Sequence, residues 1–455
     1  MTIATAYWSQ RDSKEMLAKG SDIPFLPDGL TERWVVNLYP DRRYQEILGF
    51  GAAFTEASAY NYSRLGRENQ KKIVEAYFDK ERGLGYNFCR TQIHSNDFSL
   101  DEYTYTEEND EALETFSIAR DQKWIIPFIK AAKEAASDLR LFTSPWSPPR
   151  WMKDNKEFNN GGKLDPAFAD CWAQYIAKYL GEYGKEGLDF FGLTVQNEPL
   201  SRQTWESCQY TAEEEAVFVR DHLKPTLTKA GFGDVRIMIW DHNKERVYDR
   251  ARDTLRMPGV ADCVWGIAFH WYSGDHFSAL AMAHEAFPDK PLILTEYCLG
   301  MTRGESAPGP HSSWDGVEIH TKELVGDFNN FMAAAVDWNM IVDDKGGPYH
   351  NRAAGTKARI VVDPEHDTVT LEPLYYAQAH FSRFIERGAV RIGSSSFSDE
   401  VEVTAFQNPD GRIVAVVLNC AERDIPVGLR LGGDIANVVL PQRSLATFVL
   451  SGINS

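Results

Sequence analysis

Phe191-Gly-Leu-Thr-Val-Gln-Asn-Glu198-Pro and Pro291-Leu-Ile-Leu-Thr-Glu296-Tyr are short apolar runs that each close on a glutamate. A run without polar alternation is the pattern of a strand buried on both faces, as in a parallel sheet. In a closed parallel barrel the carboxyl ends of all strands open on one mouth, so two such glutamates can face each other across one substrate. Pro199 stops the ladder behind the first run, and Asn197 adds a second polar group at the same mouth. Paired carboxylates about 5 Å apart are the equipment of retaining glycoside hydrolysis.

Working outward, strand-like runs alternate with amphipathic helical stretches from about residue 45 to residue 387. The predicted strands cover 46–54, 87–93, 140–143, 191–196, 235–240, 266–271, 291–296 and 333–341. The predicted helices cover about 69–78, 124–137, 166–183, 212–230, 244–256, 277–286, 316–332 and 374–387. Alternation of this kind is the pattern of βαβ units, and eight strands close a barrel. From Ser398 the texture changes to short alternating runs around turns such as Asn408-Pro-Asp-Gly, a hairpin signature. The fold class expected is α/β, a (β/α)8 TIM barrel over residues 40–388 with an antiparallel β-sandwich from residues 1–39 plus 389–455. The Ile23–Tyr39 stretch supplies one strand of that sandwich in this reading.

The chain has 455 residues, 43% hydrophobic and 25% charged, values of a folded protein larger than one ordinary core. A formal net charge of -18 with no basic stripe argues against a nucleic-acid partner and suits a neutral substrate. The six cysteines are scattered singly and read as reduced thiols. The N-terminus turns polar before an export-signal core can form, and no run reaches membrane-span length, so a cytoplasmic location is expected. Gly49-Phe-Gly-Ala-Ala-Phe lacks the third glycine of a dinucleotide fingerprint, and P-loop, H-E-x-x-H and G-x-S-x-G motifs are absent. No cofactor, no metal and no obligate protein partner is implied.

Other strand ends add candidates. The proline-rich loop Ser144-Pro-Trp-Ser-Pro-Pro-Arg-Trp places Trp146 and Trp151 at the mouth, where Trp146 is favoured as a flat platform for a sugar ring. Asn96 and Asp97 follow the second strand, where Asp97 either caps a turn or accepts hydrogen bonds from two sugar hydroxyls. His270 and Tyr272 follow the sixth strand. A lone histidine is more often structural than catalytic, whereas Tyr272 is placed to donate to a carboxylate. Trp338, at the eighth strand, faces the mouth or packs the barrel.

Read in order, Gly49-Phe-Gly-Ala-Ala-Phe-Thr-Glu-Ala, Ser95-Asn-Asp-Phe-Ser-Leu-Asp-Glu-Tyr, Ser144-Pro-Trp-Ser-Pro-Pro-Arg-Trp-Met-Lys, Gln196-Asn-Glu-Pro, His270-Trp-Tyr and Thr295-Glu-Tyr resemble the motifs of the glucosylceramidase-like family, glycoside hydrolase family thirty. The resemblance spans about residues 40–390 and departs across the stretch 346–355. It implies a barrel fused to a sandwich made from both chain ends, with Glu198 as acid/base and Glu296 as nucleophile. It further implies that Asp97, Trp146, Asn197 and Trp338 hold the terminal sugar while Arg90, His270 and Tyr272 shape the nucleophile side. The activity expected is a retaining β-glycosidase acting on a small carbohydrate or glycoside with a terminal neutral β-sugar, glucose first. A β-xylosidase or endo-β-1,6-glucanase would use the same two glutamates, and a non-catalytic carbohydrate-binding barrel is the reading of another class.

Overall fold

The computed structural model describes residues 1–299, 314–351 and 356–452. Eight parallel strands close a barrel: β1 (Gly49–Phe54), β2 (Phe88–Ile93), β3 (Arg140–Pro145), β4 (Phe190–Thr194), β5 (Arg236–Asn243), β6 (Gly266–His270), β7 (Leu292–Glu296) and β8 (Met332–Asn339). Every predicted strand is present. β1, β2, β7 and β8 are buried at every position, as their unbroken apolar runs require. The helix predicted across 212–230 is continuous in position, but its middle, Phe218–Leu223, winds as a π-helix between the α-helical Ala212–Val217 and Lys224–Lys229.

Inside the barrel the side chains lie in layers. The lower layer is hydrocarbon, built by Phe88, Phe142, Met238, Ala268, Ile293, Ala334 and Val336, with the Phe88 and Phe142 rings 5.4 Å apart. Two residues further along the same strands stand Arg90, Ser144, His270 and Thr295, all buried. The period of two along a strand therefore carries each one from hydrocarbon to polar chemistry within one pleat.

β5 breaks that period. Trp240 and Asp241 both have left-handed backbone, with φ of 77° and 54°, and the register against β6 shifts at the same point. Strict alternation after Met238 would turn Trp240 inward; the bulge turns Asp241 inward instead, while Trp240 joins the outer core.

A ten-stranded sheet wraps a second core that includes Ala4, Val36, Val403, Ala415, Val417, Leu429 and Phe448. Both chain ends build it. Ile3–Gln10 lies between Ala18–Pro24 and Ser444–Ser451, paired Ile3 to Ser451 through Gln10 to Ser444. Ile23–Tyr39 reads as a single strand ahead of the barrel; four segments are there, Ile3–Gln10, Ala18–Pro24, Leu26–Pro27 and Val35–Glu46. Pairing is antiparallel except where Val35–Glu46 meets Ile425–Leu431 in parallel. At the joint with the barrel, His380 on the helix Pro373–Ser382 sits fully buried between the hydroxyls of Ser9 and Thr447, at 2.8 and 2.9 Å. After β8, Ile341–Asp343, Ile360–Asp363 and Thr368–Leu371 form a small sheet whose Val342 and Val361 join the apolar cluster of Trp146 and Trp338.

Candidate active site

β4 ends at Thr194, two residues before the predicted end, and Gln196-Asn-Glu-Pro crosses the mouth as irregular chain. It is tied down by backbone bonds from Asn197 N to the Pro145 carbonyl and from Glu198 N to the Asp241 carbonyl, at 2.8 and 2.9 Å. Glu198 itself has a left-handed φ of 46°, a conformation that costs a non-glycine residue and persists only where neighbours enforce it. Glu296 closes β7 and is 5% exposed. One oxygen of Glu198, one oxygen of Glu296 and one ring nitrogen of His270 lie within 4.8 Å of one another.

Both oxygens of Glu296 are engaged. The Tyr272 hydroxyl donates to Oε1 at 2.8 Å and Arg90 Nη1 donates to Oε2 at 2.7 Å. Burial lifts the Glu296 carboxyl above its ordinary value and the Glu198 charge adds to this, against His270, Arg90 and Tyr272. Two donors on two oxygens leave the carboxylate as the form this cradle holds.

Arg90 is wholly buried and spends its fork on four side chains and, at 3.4 Å, the Thr295 carbonyl. Besides Glu296, Nη2 donates to Asn197 Oδ1 and Asp241 Oδ2 at 2.9 and 2.8 Å, and Nε donates to Ser144 at 3.0 Å. The bond to Asn197 Oδ1 leaves the amide NH2 edge as the donor that Asn197 can offer a ligand. The guanidinium also lies over the Trp146 ring, 4.7 Å from its centre.

His270 is buried with both nitrogens facing carboxylates: Nδ1 is 3.2 Å from Glu198 Oε1 and Nε2 is 3.1 Å from Asp241 Oδ1. Burial opposes a charged ring, but the Glu296 charge, the hydrogen bonds to Asp241 and Glu198 and the Asp241 charge outweigh it and carry His270 up to about 9. Burial likewise works to raise Glu198, yet the His270 N–H, the charges of His242 and His270 and the Ser201 hydroxyl at 3.0 Å bring its carboxyl down to about 2. The Asp241 carboxyl is held far below its usual range: burial is outweighed by Arg90, by the His270 bond and charge, and by Thr194. Thr295 donates to it as well, at 2.5 Å. Two carboxylates and an imidazole in such proximity also form a candidate donor set for a cation, and each already has a protein partner: Glu198 has Ser201, Glu296 has Arg90 and Tyr272, and His270 has Asp241.

Trp146 and Trp338 stack at 5.2 Å, buried to 2% and 1% exposure, so the platform expected of Trp146 is one half of an aromatic pair. Trp338 Nε1 is buried with no partner among the described residues, a donor that faces no acceptor there. Phe98 meets Trp338 edge-on, and Ala53, Ala57 and Cys298 complete that wall with Trp205 and Tyr349 at its margin. Asp97 is buried beside Phe98, its carbonyl accepting from His350 N at 3.0 Å. His350 in turn reaches both oxygens of the buried Glu206 at 3.1 Å, tying the loops after β2, β4 and β8 together. Asn96 Oδ1 is used locally, accepting from Phe98 N, while its Nδ2 is buried without a partner among the described residues. Of the stretch where the family pattern departs, residues 352–355 lie outside the described residues.

The fold thus gathers Arg90, Asn197, Glu198, His270, Tyr272 and Glu296 into one hydrogen-bonded cluster, with Trp146 and Trp338 as its wall and Asp97 nearby. Asp241, Ser201, Thr194 and Thr295 were missed. The signal for Asp241 was present in Arg236-Ile-Met-Ile-Trp-Asp, another apolar run that closes on a carboxylate.

Residues 47–385 match the glycosyl hydrolase family 30 TIM-barrel domain, and residues 388–448 match that family's beta sandwich domain. The chain belongs to glycosyl hydrolase family 30. It is 32% identical to the lysosomal acid glucosylceramidase of Mus musculus, over 86% of this chain and 78% of that one. It is 27% identical to an endo-1,6-beta-D-glucanase of Neurospora crassa, over 98% of this chain and 94% of the other. The crystal structure of SrfJ from Salmonella typhimurium superposes with a TM-score of 0.93 at 31% identity, covering 98% and 99% of the two chains. The family and the facing carboxylates together make this protein a retaining β-glycosidase.

Proposed function

We propose that Glu296 is the nucleophile and Glu198 the acid/base of a double displacement that removes a terminal β-glucosyl unit. The observation that carries the reading is the approach of one oxygen from each glutamate to within 4.8 Å. That is retaining spacing; inverting sites hold their carboxyls about 6.5–9.5 Å apart to fit a water between them.

In the first step Glu296 attacks the anomeric carbon as Glu198 protonates the leaving oxygen. In the second, Glu198 takes a proton from water, which displaces Glu296. Arg90 and Tyr272 fix the two Glu296 oxygens so that attack needs no reorientation. The NH2 of Asn197 is the donor for the sugar 2-hydroxyl, a bond that strengthens as the oxocarbenium-like transition state forms. Trp146 and Trp338 present apolar faces to the ring, and Asp97 accepts from hydroxyls at its far side.

Similarity to a glucosylceramidase supports a β-glucoside with an apolar aglycone. The fuller mutual coverage with an endo-1,6-beta-D-glucanase, 98% and 94%, supports a second reading, cleavage within a β-1,6-glucan. A 2-fluoro β-glucoside trap followed by peptide mass spectrometry tests the chemistry: label on the Thr295-Glu-Tyr peptide is the expected result, and label elsewhere removes the assignment. Parallel assays on glucosylceramide in detergent and on β-1,6-gluco-oligosaccharides separate the two substrates.

A further inference from the structure

A retaining acid/base must hold a proton when the glycoside binds, yet the carboxylate proposed for that task sits against an imidazole that is itself pinned by a second carboxylate. His270 touches Glu198 through Nδ1 and Asp241 through Nε2, at 3.2 and 3.1 Å. Asp241 accepts from Arg90, Thr194 and Thr295, at 2.8, 2.5 and 2.5 Å. Four donors on one fully buried carboxylate keep it ionised and immobile. Its role toward His270 is to require a proton on Nε2, which directs the other nitrogen at Glu198.

Resting on the roles just given to Glu198 and Glu296, we infer that His270 is the positioning residue that stores the acid's proton and releases it through Glu198 as the charge on Glu296 is consumed. The groups facing the ring are Glu198, Asp241 and His242 from the fourth and fifth strand ends, Glu296 from the seventh, Arg90 from the second and Tyr272 from its own segment. Among them the Glu296 charge is the largest influence that favours the imidazolium. When Glu296 bonds to the anomeric carbon that negative charge disappears, and the ring loses its strongest electrostatic reason to stay charged.

The proton count closes. The Nδ1–H bond breaks as a proton forms a bond to Glu198 Oε1; the proton on Glu198 passes to the leaving oxygen as the glycosidic C–O bond breaks. After this step His270 is neutral, Glu198 is a carboxylate and Glu296 is an ester. In the second step water loses a proton to Glu198, its oxygen bonds to the anomeric carbon, and the returning charge on Glu296 draws the proton back onto His270. His270 never touches the sugar. It matches the availability of a proton to the state of the nucleophile.

The test compares His270→Asn with Glu198→Ala on two substrates, an alkyl β-glucoside that needs protonation to leave and a 2,4-dinitrophenyl β-glucoside that does not. For His270→Asn, kcat/KM is expected to fall about 100-fold on the alkyl substrate, change less than about threefold on the dinitrophenyl one, and lose its basic limb to lower pH. Equal loss on both substrates, or none on either, overturns the inference. A leaving-group split in Glu198→Ala without one in His270→Asn sinks this inference alone; absence of a split in Glu198→Ala sinks the acid/base reading beneath it. The wild-type enzyme gives an independent readout through its 15N-labelled histidines. At about pH 8, one imidazolium signal should become neutral when the 2-fluoro glycosyl-enzyme forms. If every imidazolium persists through trapping, the store does not exist.

Discussion

The lower and upper layers of the barrel interior are made by the same strands and do opposite things. At the level of Phe88, Phe142, Met238 and Ile293 the interior is hydrocarbon. One pleat higher, Arg90 and Thr295 donate to a carboxylate hub at Asp241, and Ser144 accepts from Arg90. The lower layer stabilises by removing apolar surface from water, about 25 cal/mol per Å2. The upper layer carries the cost of desolvating five charged groups, repaid only while each keeps its partners. Stability and reactivity are thus segregated by depth along each strand, which lets loops at the mouth vary while the floor stays fixed.

The sharpest way to break this division is at its chemical end. Glu296→Gln should lower kcat by about 10⁴-fold or more while the melting temperature holds, read by stopped assay and calorimetry. Retained turnover would mean that the upper layer is not where the chemistry resides. Arg90→Lys is next, because a point charge cannot reach the four side chains the guanidinium holds. A loss of about 10²–10³-fold in kcat/KM is expected, together with destabilisation of about 3–5 kcal/mol, so this layer fails on both counts at once. Phe142→Ala makes the reciprocal case: a loss of about 3–5 kcal/mol in denaturant unfolding, with the kcat of the folded fraction unchanged.

The last test contrasts two buried imidazoles, and near neutral pH it moves stability least. His270 is held charged by carboxylates, whereas His380, between the hydroxyls of Ser9 and Thr447, is brought by burial down to about 3. A depressed histidine means that the unfolded chain takes up the proton first. Stability is therefore full above about pH 6.5 and falls toward acid by about 1.4 kcal/mol per pH unit until the folded value is reached. His380→Gln should flatten that acid slope in urea unfolding relative to wild type; an unchanged slope would remove His380 from the acid sensitivity.

The contrast between layers also explains what could be read from sequence. Glu198 and Glu296 announced themselves because each terminates an apolar run, and the eight runs placed the barrel. Asp241 obeyed the same rule and was still hidden, because alternation after Met238 assigns the inward position to Trp240. Only the left-handed pair at Trp240 and Asp241 reverses that, and nothing in the residue types there demands positive φ. Trp146 read correctly as a mouth residue, but its stacking on Trp338, 192 positions away, follows from barrel closure and not from local pattern. The first strand, Ile3–Gln10, was unread because its pairing partner lies at the opposite end of the sequence.

That last pairing has a consequence for how the molecule is made. A ribosome emits Ile3–Gln10 about 430 residues ahead of Ser444–Ser451, so the earlier strand must wait with an unsatisfied backbone edge while the barrel between them is made. The barrel between them can mature during that interval, but the companion domain is a clasp that shuts only once Ser444–Ser451 has emerged. A product cut before Ser444 would have two open edges, at Ile3–Gln10 and Ile413–Asn419, in place of one closed seam, and would be exposed to strand-on-strand association.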